Sequence, residues 1–428
     1  MRLPADHPLR VRLHDEVHAR PPEAIGTPSR LSYLALFSPA SQREAEWRHV
    51  CDLARAFDLP VPAADTVHYS RDFGRFRFTW ERHTEFARYT IIVPGANDGA
   101  PFAEPAIEAV PEEWIAGLPG ELVAATHAAI LRDDRSLRPD EIAERWFEGN
   151  VLIGAFIGDG AARAYTDFRI RPDGFGRLLV QDRDMTPRQC GRLVQRLLEI
   201  DTYRILATLA LPVAQGMVTT LARTEQELTE ITQALARSSE KDEPQLLDRL
   251  TRLAAEIEER GSRTHYRYGA AEAYYDLVQR RIADLRESHL EKLQAFGAFI
   301  ERRLAPAMST CRSVAGRQES LSARVARATL LLATRVDVTL EKQNKAVLDS
   351  VNRRAGLQLR LQTTVEGLSV VAITYYLVGL VGYAAKAVEA ATGLHIDPAI
   401  AMGASIPLAA VLVTLGIHRI RREVMKPR

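Results

Sequence analysis

The chain has 428 residues, 46% of them hydrophobic and 26% charged, with a formal net charge of +1. That length suits roughly two or three domains with a substantial core, and the near-neutral balance gives no field that would gather nucleic acid. The three cysteines, Cys51, Cys190 and Cys311, lie far apart with no CxxC pair, which excludes a cysteine zinc site and a disulfide framework and fits a reducing compartment.

The opening, MRLPADHPLRVRLHDE, has no apolar run. No cleavable signal peptide is therefore expected, and the chain is expected to begin in the cytoplasm. HDEVHARPP follows, with His14 and His18 four apart and Asp15 between them. A helical zinc-protease motif needs HExxH, because the glutamate must reach a zinc-bound water. Here an aspartate, one methylene shorter, takes the second place, and Arg20-Pro21-Pro22 stops a helix within a turn of His18. A noncatalytic metal site from His14, His18, His83 and Glu85 is the weaker reading. The stronger is local hydrogen bonding that pins the N-terminal segment onto a sheet. No cofactor is expected.

LSYLALFS (31–38) reads as a strand and SQREAEWRHVCDLARAFDL as a helix ending before Pro60. TVHYSRDFGRFRFTWERHTEFARYTIIV alternates apolar and polar residues, the pattern of an antiparallel hairpin. The run Glu81, Arg82, His83, Glu85 within it reads as a solvated strand face. GELVAATHAAIL predicts a strand, PDEIAERWF a short helix, and residues 150–180 two or three strands with Gly-rich turns. Antiparallel strands with intervening helices predict an α+β domain over 1–185. No GxGxxG opens a helix and no GxxxxGK[ST] occurs, so GDG and DGFG are hairpin turns rather than phosphate loops. No Ser-His-Asp or Cys-His arrangement emerges from sequence order, and no enzymatic activity is expected.

Residues 186–365 read as a helical bundle and stalk. Thr186 and Pro187 open a helix as N-cap and first position, Pro212 bends or ends it, and SSEKDEP is a charged turn. The next helix is expected to break at Gly261-Ser262. Another should run from Thr264 to Leu304, with Pro306 interrupting. From about Gln318 no proline occurs until Pro398, so one helix of on the order of 100 Å is expected to enter the C-terminal segment. Leu340, Val347 and Leu361 recur at multiples of seven, but Asn344, Arg354 and Gln358 take neighbouring seam positions. That suits a helix packed on its own neighbours, or a wide oligomer with a wet interior, better than an apolar two-stranded coiled coil.

Residues 366–428 carry two runs free of Asp, Glu, Lys, Arg and His: 18 positions from Leu368 to Ala385, and 20 from Pro398 to Ile417. At about 1.5 Å per residue each is long enough for a bilayer core, so a transmembrane hairpin is expected with the lipid bilayer as partner. Arg353, Arg354 and Arg360 precede it, and Arg419, Arg421, Arg422, Lys426 and Arg428 follow. The basic excess places both termini in the cytoplasm, in the multi-pass topology of an inner-membrane protein. Tyr375 and Tyr376 sit mid-span, where they are expected to face protein or water rather than lipid. Gly379, Gly382, Ala399, Gly403, Ser405 and Ala409 offer surfaces for close helix approach. Glu366 at the cytoplasmic mouth, with Thr374, Tyr375 and Tyr376, makes the candidate pore set.

RLHDEVHARP, FGRFRFTWERHTEF and LQLRLQTTVEGLSVVAITYYLVGL, spread from end to end, resemble the signatures of a bacterial family of membrane-anchored proteins with a domain of unknown function. The resemblance implies a location and transfers no catalytic residue. In layout the chain is also similar to CorA-type magnesium channels, which carry an N-terminal cytoplasmic domain, a long stalk helix and a C-terminal hairpin. It departs from them at the end of the first span, GLVGYAAKAVEA, where no Gly-Met-Asn triplet follows. The expected function is a membrane-anchored cytoplasmic scaffold or sensor. A CorA-like oligomeric cation channel or transporter is the alternative. A homo-oligomer is expected, with a cytoplasmic protein or a cation as further partner.

Overall fold

A computed structural model of the chain describes every residue except 1–3, 5, 12, 15–21, 96–99, 134–136, 291, 393–396 and 425–428. His18 and most of HDEVHARPP lie outside the described residues. The chain divides into two compact units, residues 1–237 with 245–329, and residues 238–244 with 330–428.

The first unit is an α/β sheet domain followed by long helices. Among its described residues nine strands are found, β1 (Ser29–Phe37), β2 (His68–Asp72), β3 (Arg77–Arg82), β4 (Phe86–Pro94), β5 (Glu121–Arg132), β6 (Ile153–Ile157), β7 (Ala162–Thr166), β8 (Gly176–Asp182) and β9 (Ser288–His289). They form one sheet in the order β2-β3-β4-β1-β5-β8-β7-β6-β9. Every pairing is antiparallel except β5 with β8. β1 sits near the middle and is covered on both faces, which is why its sequence is a nearly continuous apolar run rather than an alternation.

One sheet face carries α1 (Arg43–Ala56), α2 (Glu112–Ala116) and α3 (Pro139–Trp146). In α1 the buried Glu46, Val50, Leu53 and Ala54 make a single helical stripe. That stripe meets Leu34, Leu36, Phe78, Trp80 and Tyr89 in the main core. The opposite face receives α4 (Pro187–Thr208), whose start is fixed by the expected Thr186 cap: Thr186 and Gln189 form a capping box with Pro187 at the first position. α5 (Ala210–Arg237) follows after Leu209, two residues earlier than Pro212 suggested.

The helices beyond depart from the sequence reading. α6 (Glu243–Leu285) runs unbroken through Gly261 and Ser262. A glycine inside a helix costs only about 1 kcal/mol, and a Cβ at Gly261 would lie 3.1 Å from Gln318 Nε2, so the small residue gives α7 room to pass. The real interruption follows Leu285. There Ser288 and His289 pair with Phe156 and Ala155 as the outermost strand, β9. Glu287 then caps α7 (Phe296–Thr392), accepting the backbone N–H of Phe296 and of Gly297, each at 2.9 Å. Pro306 lies inside α7 and does not end it.

In the second unit α7 continues into the apolar segment, and α8 (Pro398–Val424) follows. Gly382 is the contact point of the pair: a Cβ there would lie 2.5 Å from Met402 Sδ. Val378 and Ala385 on α7, and Ala409 and Val413 on α8, are the buried side chains of this segment. Gly379 and Gly403 face open space.

Candidate functional site

One buried cluster of charged groups in the first unit lies under α4. Arg88 on β4 stands between two buried carboxylates, ion-paired with Glu81 on β3 and 2.9 Å from Glu199 on α4. Arg281 of α6 closes on Glu199 from the other side. Burial alone would raise the Glu199 carboxyl, but the two guanidiniums outweigh it and hold the group below the usual range. His68 lies 3.4 Å from Glu81. Beside the cluster the Tyr33 hydroxyl meets Thr202 at 2.8 Å, and burial pushes its pKa up. Removing one member would leave a buried charge uncompensated, so the cluster fastens α4 and α6 to the sheet in one geometry.

A cavity of about 120 Å³ opens further along α4, between the starts of β5 and β8 and the beginning of α7. Thr126 donates to Asp201 at 3.0 Å, Arg204 Nε donates to the same carboxylate at 2.9 Å, and the Arg204 guanidinium lies 4.6 Å from the Phe168 ring centre. Phe168 adopts φ +51°, a region that costs a side chain energy. Asp201 is already satisfied by Arg204 and Thr126, so the cavity presents an apolar wall with a neutralised pair rather than an acid or base.

Glu85 sits at the end of the β3–β4 hairpin, where Arg267 Nη2 donates to it at 2.8 Å and the Tyr266 hydroxyl at 3.2 Å. Its carboxylate is thus occupied by α6. His83 stacks on Phe86 at 4.3 Å, and His14 is exposed near the N-terminus. Among the described residues no group of three or more His, Cys, Asp or Glu is arranged to hold a metal ion. All three cysteines are buried; burial pushes the Cys190 thiol up to about 12 and raises Cys51 and Cys311, so none is a ready thiolate.

In the second unit Glu366 and Thr374 lie on the half-buried side of α7, where Thr374 bonds back to the Val370 carbonyl at 2.7 Å. Tyr375 and Tyr376 point outward, 77% and 72% exposed. The structure therefore splits the pore set between two faces of one helix. Arg353, Arg354, Arg360 and Arg419 are exposed, and Arg421 and Arg422 continue the helix of α8.

The pattern of a protein family matches residues 5–424, nearly the whole chain. The chain belongs to the DUF3422 family. That family is described as a protein of unknown function. No curated protein and no solved structure matches the chain. The residues that the sequence reading missed are the α4-face cluster of Arg88, Glu199 and Arg281. Its one visible signal is LLEI, where Glu199 is flanked by apolar residues on both sides.

Proposed function

We propose that the chain is a membrane-anchored protein. The C-terminal part of α7 and α8 form a bilayer-embedded hairpin, and the sheet unit is a cytoplasmic scaffold or sensor without catalytic machinery of its own. The observation that carries this reading is the outward exposure of the two uncharged runs. Leu368, Val371, Leu380 and Tyr383 on α7, and Ile400, Leu408, Leu412 and Leu415 on α8, are each 60–74% exposed. A contiguous apolar surface of this size is not carried free in water, and each run matches the hydrocarbon thickness.

Among the described residues three helical stretches are long and apolar enough to cross a membrane, 187–237, 296–391 and 398–420. The first is the most covered of the three: a third of its apolar stretch is buried within the protein, against 11% for each of the other two. The other two support the hairpin. The absence of Asp, Glu, Lys, Arg and His from both runs favours a tether over an ion path, since intramembrane charges mark such paths.

The expected result is that the full chain pellets with membranes after a carbonate wash and needs detergent for release, while a chain ending at residue 365 stays in the supernatant. Full-length chain in the supernatant would overturn the reading.

A further inference from the structure

Among the described residues of the second unit, nothing covers the stretch of α7 that leads to the apolar segment. Every residue from Leu340 to Val365 is exposed. Among them Leu340, Val347, Leu348, Val351, Leu357, Leu359, Leu361 and Val365 are 54–69% exposed. Helices in proteins owe most of their stability to packing of one face, and this one has apolar residues with nothing on them. The sequence reading had allowed that it packs on its own neighbours. In the described structure those neighbours are absent over this stretch.

Five of these eight apolar positions lie on one seam, and Leu348, Leu357 and Leu359 lie off it. Leu340, Val347, Leu361, Leu368 and Tyr375 recur with the period of a heptad, and Val351, Val365, Ala372 and Gly379 fill the complementary seam position. The seam therefore continues from the exposed stretch into the apolar segment. The half-buried stripe of Val370, Thr374, Val378 and Ala385, on the α8 side, takes a different direction. At 3.6 residues per turn the seam lies about 120° round the helix from that stripe. Tyr376 and Tyr383 fall on the seam side, 72% and 74% exposed, and Gly379 has open space where a Cβ would be.

We propose that this face of α7 is the surface on which the chain associates with a second copy of itself, parallel and in register. The parallel alignment rests on the membrane reading above. A partner for this seam must follow one line from water into the bilayer in the same direction, and α7 of another copy has the required length and pattern. Three tyrosine hydroxyls in hydrocarbon need partners, and the matching tyrosines of the second copy supply them. Asn344 in a seam position fixes register. Gln358, one layer from Arg354, offers the neighbour's guanidinium an acceptor where two arginines would otherwise face each other. From 340 to 379 the seam is about 60 Å long and about 10 Å wide, so each copy covers roughly 600 Å². The two copies together then cover roughly 1,200 Å², the lower end of the range of specific interfaces.

The test uses the full chain in native membranes, with Cys51→Ala, Cys190→Ala and Cys311→Ala, and one new cysteine at a time. Val351→Cys and Leu361→Cys lie on the seam; Asp349→Cys and Arg360→Cys lie across the helix from it. Mild oxidation is expected to give a cross-linked dimer with the seam cysteines at least about tenfold more than with the others, since a disulfide needs its Cα atoms within about 7 Å. Equal cross-linking on both faces, or none on the seam while the chain still pellets with membranes, overturns the proposal. Chain found in the supernatant sinks the membrane reading instead, and the comparison of faces is then scored on the soluble chain by the same criterion. Val347→Asp with Val351→Asp, both at exposed positions, should abolish co-purification of two differently tagged copies; retained co-purification also overturns it.

Discussion

The Ser32–His127 pair shows how a single residue acquires its chemistry from a distant one. His127 Nδ1 lies 2.9 Å from Ser32 Oγ, which itself accepts the Ile107 N–H at 2.9 Å. Ser32 Oγ and Nδ1 therefore form one donor–acceptor pair whose direction is set by the ring's tautomer. Phe175 stacks on it with ring centres 3.8 Å apart. Burial lowers its pKa to about 4, with Arg177 acting in the same sense and Asp173 against it. A histidine depressed in the folded state binds its proton first in the unfolded chain, so its contribution is complete above about pH 6.5 and is lost as pH falls towards 4. The expected loss over that window is about 3 kcal/mol. All four tryptophans, Trp47, Trp80, Trp114 and Trp146, lie in the sheet unit, so denaturant unfolding followed by their fluorescence reads it. His127→Gln keeps an acceptor for Ser32 and does not titrate, so its stability should decline less between these pH values. Parallel curves for the two chains would remove His127 as the cause. Nothing in GELVAATHAAIL marked this histidine, because its partner is 95 residues away, whereas His14, His18 and His83 drew notice through local spacing.

At the scale of elements, the chain entering the sheet and the helix α4 meet at one glycine. A Cβ on Gly191 would fall inside the contact radius of the Glu23 carbonyl oxygen, and Ile25 N–H bonds to the Pro187 carbonyl at 2.9 Å beside it. Gly191→Ala must push residues 22–25 off the helix, and with them Glu23, which bonds to Ser70 on β2. A loss of about 1–3 kcal/mol in unfolding free energy is expected, as for overpacked cores. Gly216, exposed in α5 with open space around it, is the contrast: Gly216→Ala should gain up to about 1 kcal/mol from helix propensity alone. Equal effects at the two sites would show that the crossing does not matter. Strands β1 to β8 and helices α1, α3 and α4 were legible because apolar patterning and capping are local; the five-residue α2 was not read. The parallel β5–β8 pair was not, since direction depends on a crossover that no short window contains. Gly261 and Pro306 misled for the opposite reason: local propensity opposes a helix there by about 1 and 3 kcal/mol, and packing along α6 and α7 outweighs it. β9 has only two residues and exists because β6 offers an edge.

At the scale of the whole molecule, the two uncharged runs and the basic residues around them make a joint statement about orientation. Arg353, Arg354 and Arg360 stand before the first run and Arg419, Arg421, Arg422, Lys426 and Arg428 after the second, while Lys386 is the one Lys or Arg between the runs. On the membrane reading proposed above, each arginine opposes translocation, and the segment between the runs, with Glu389 and Asp397 beside its lysine, offers little resistance. The hairpin is therefore expected to insert with that loop outside and both termini within. A cysteine-free chain with Glu389→Cys should react with a membrane-impermeant maleimide added to spheroplasts, and the same chain with Arg353→Cys should react only after lysis. If Arg353→Cys is labelled first, the hairpin lies the other way and the sheet unit is outside the cell. Labelling of both before lysis would mean that the runs do not cross the membrane. Adding arginines to the loop, as in Glu389→Arg with Asp397→Arg, should weaken the asymmetry and lower the labelled fraction of a loop cysteine at Ala390. A fraction unchanged by those charges would mean that the apolar runs, and not the arginines, set the direction of insertion.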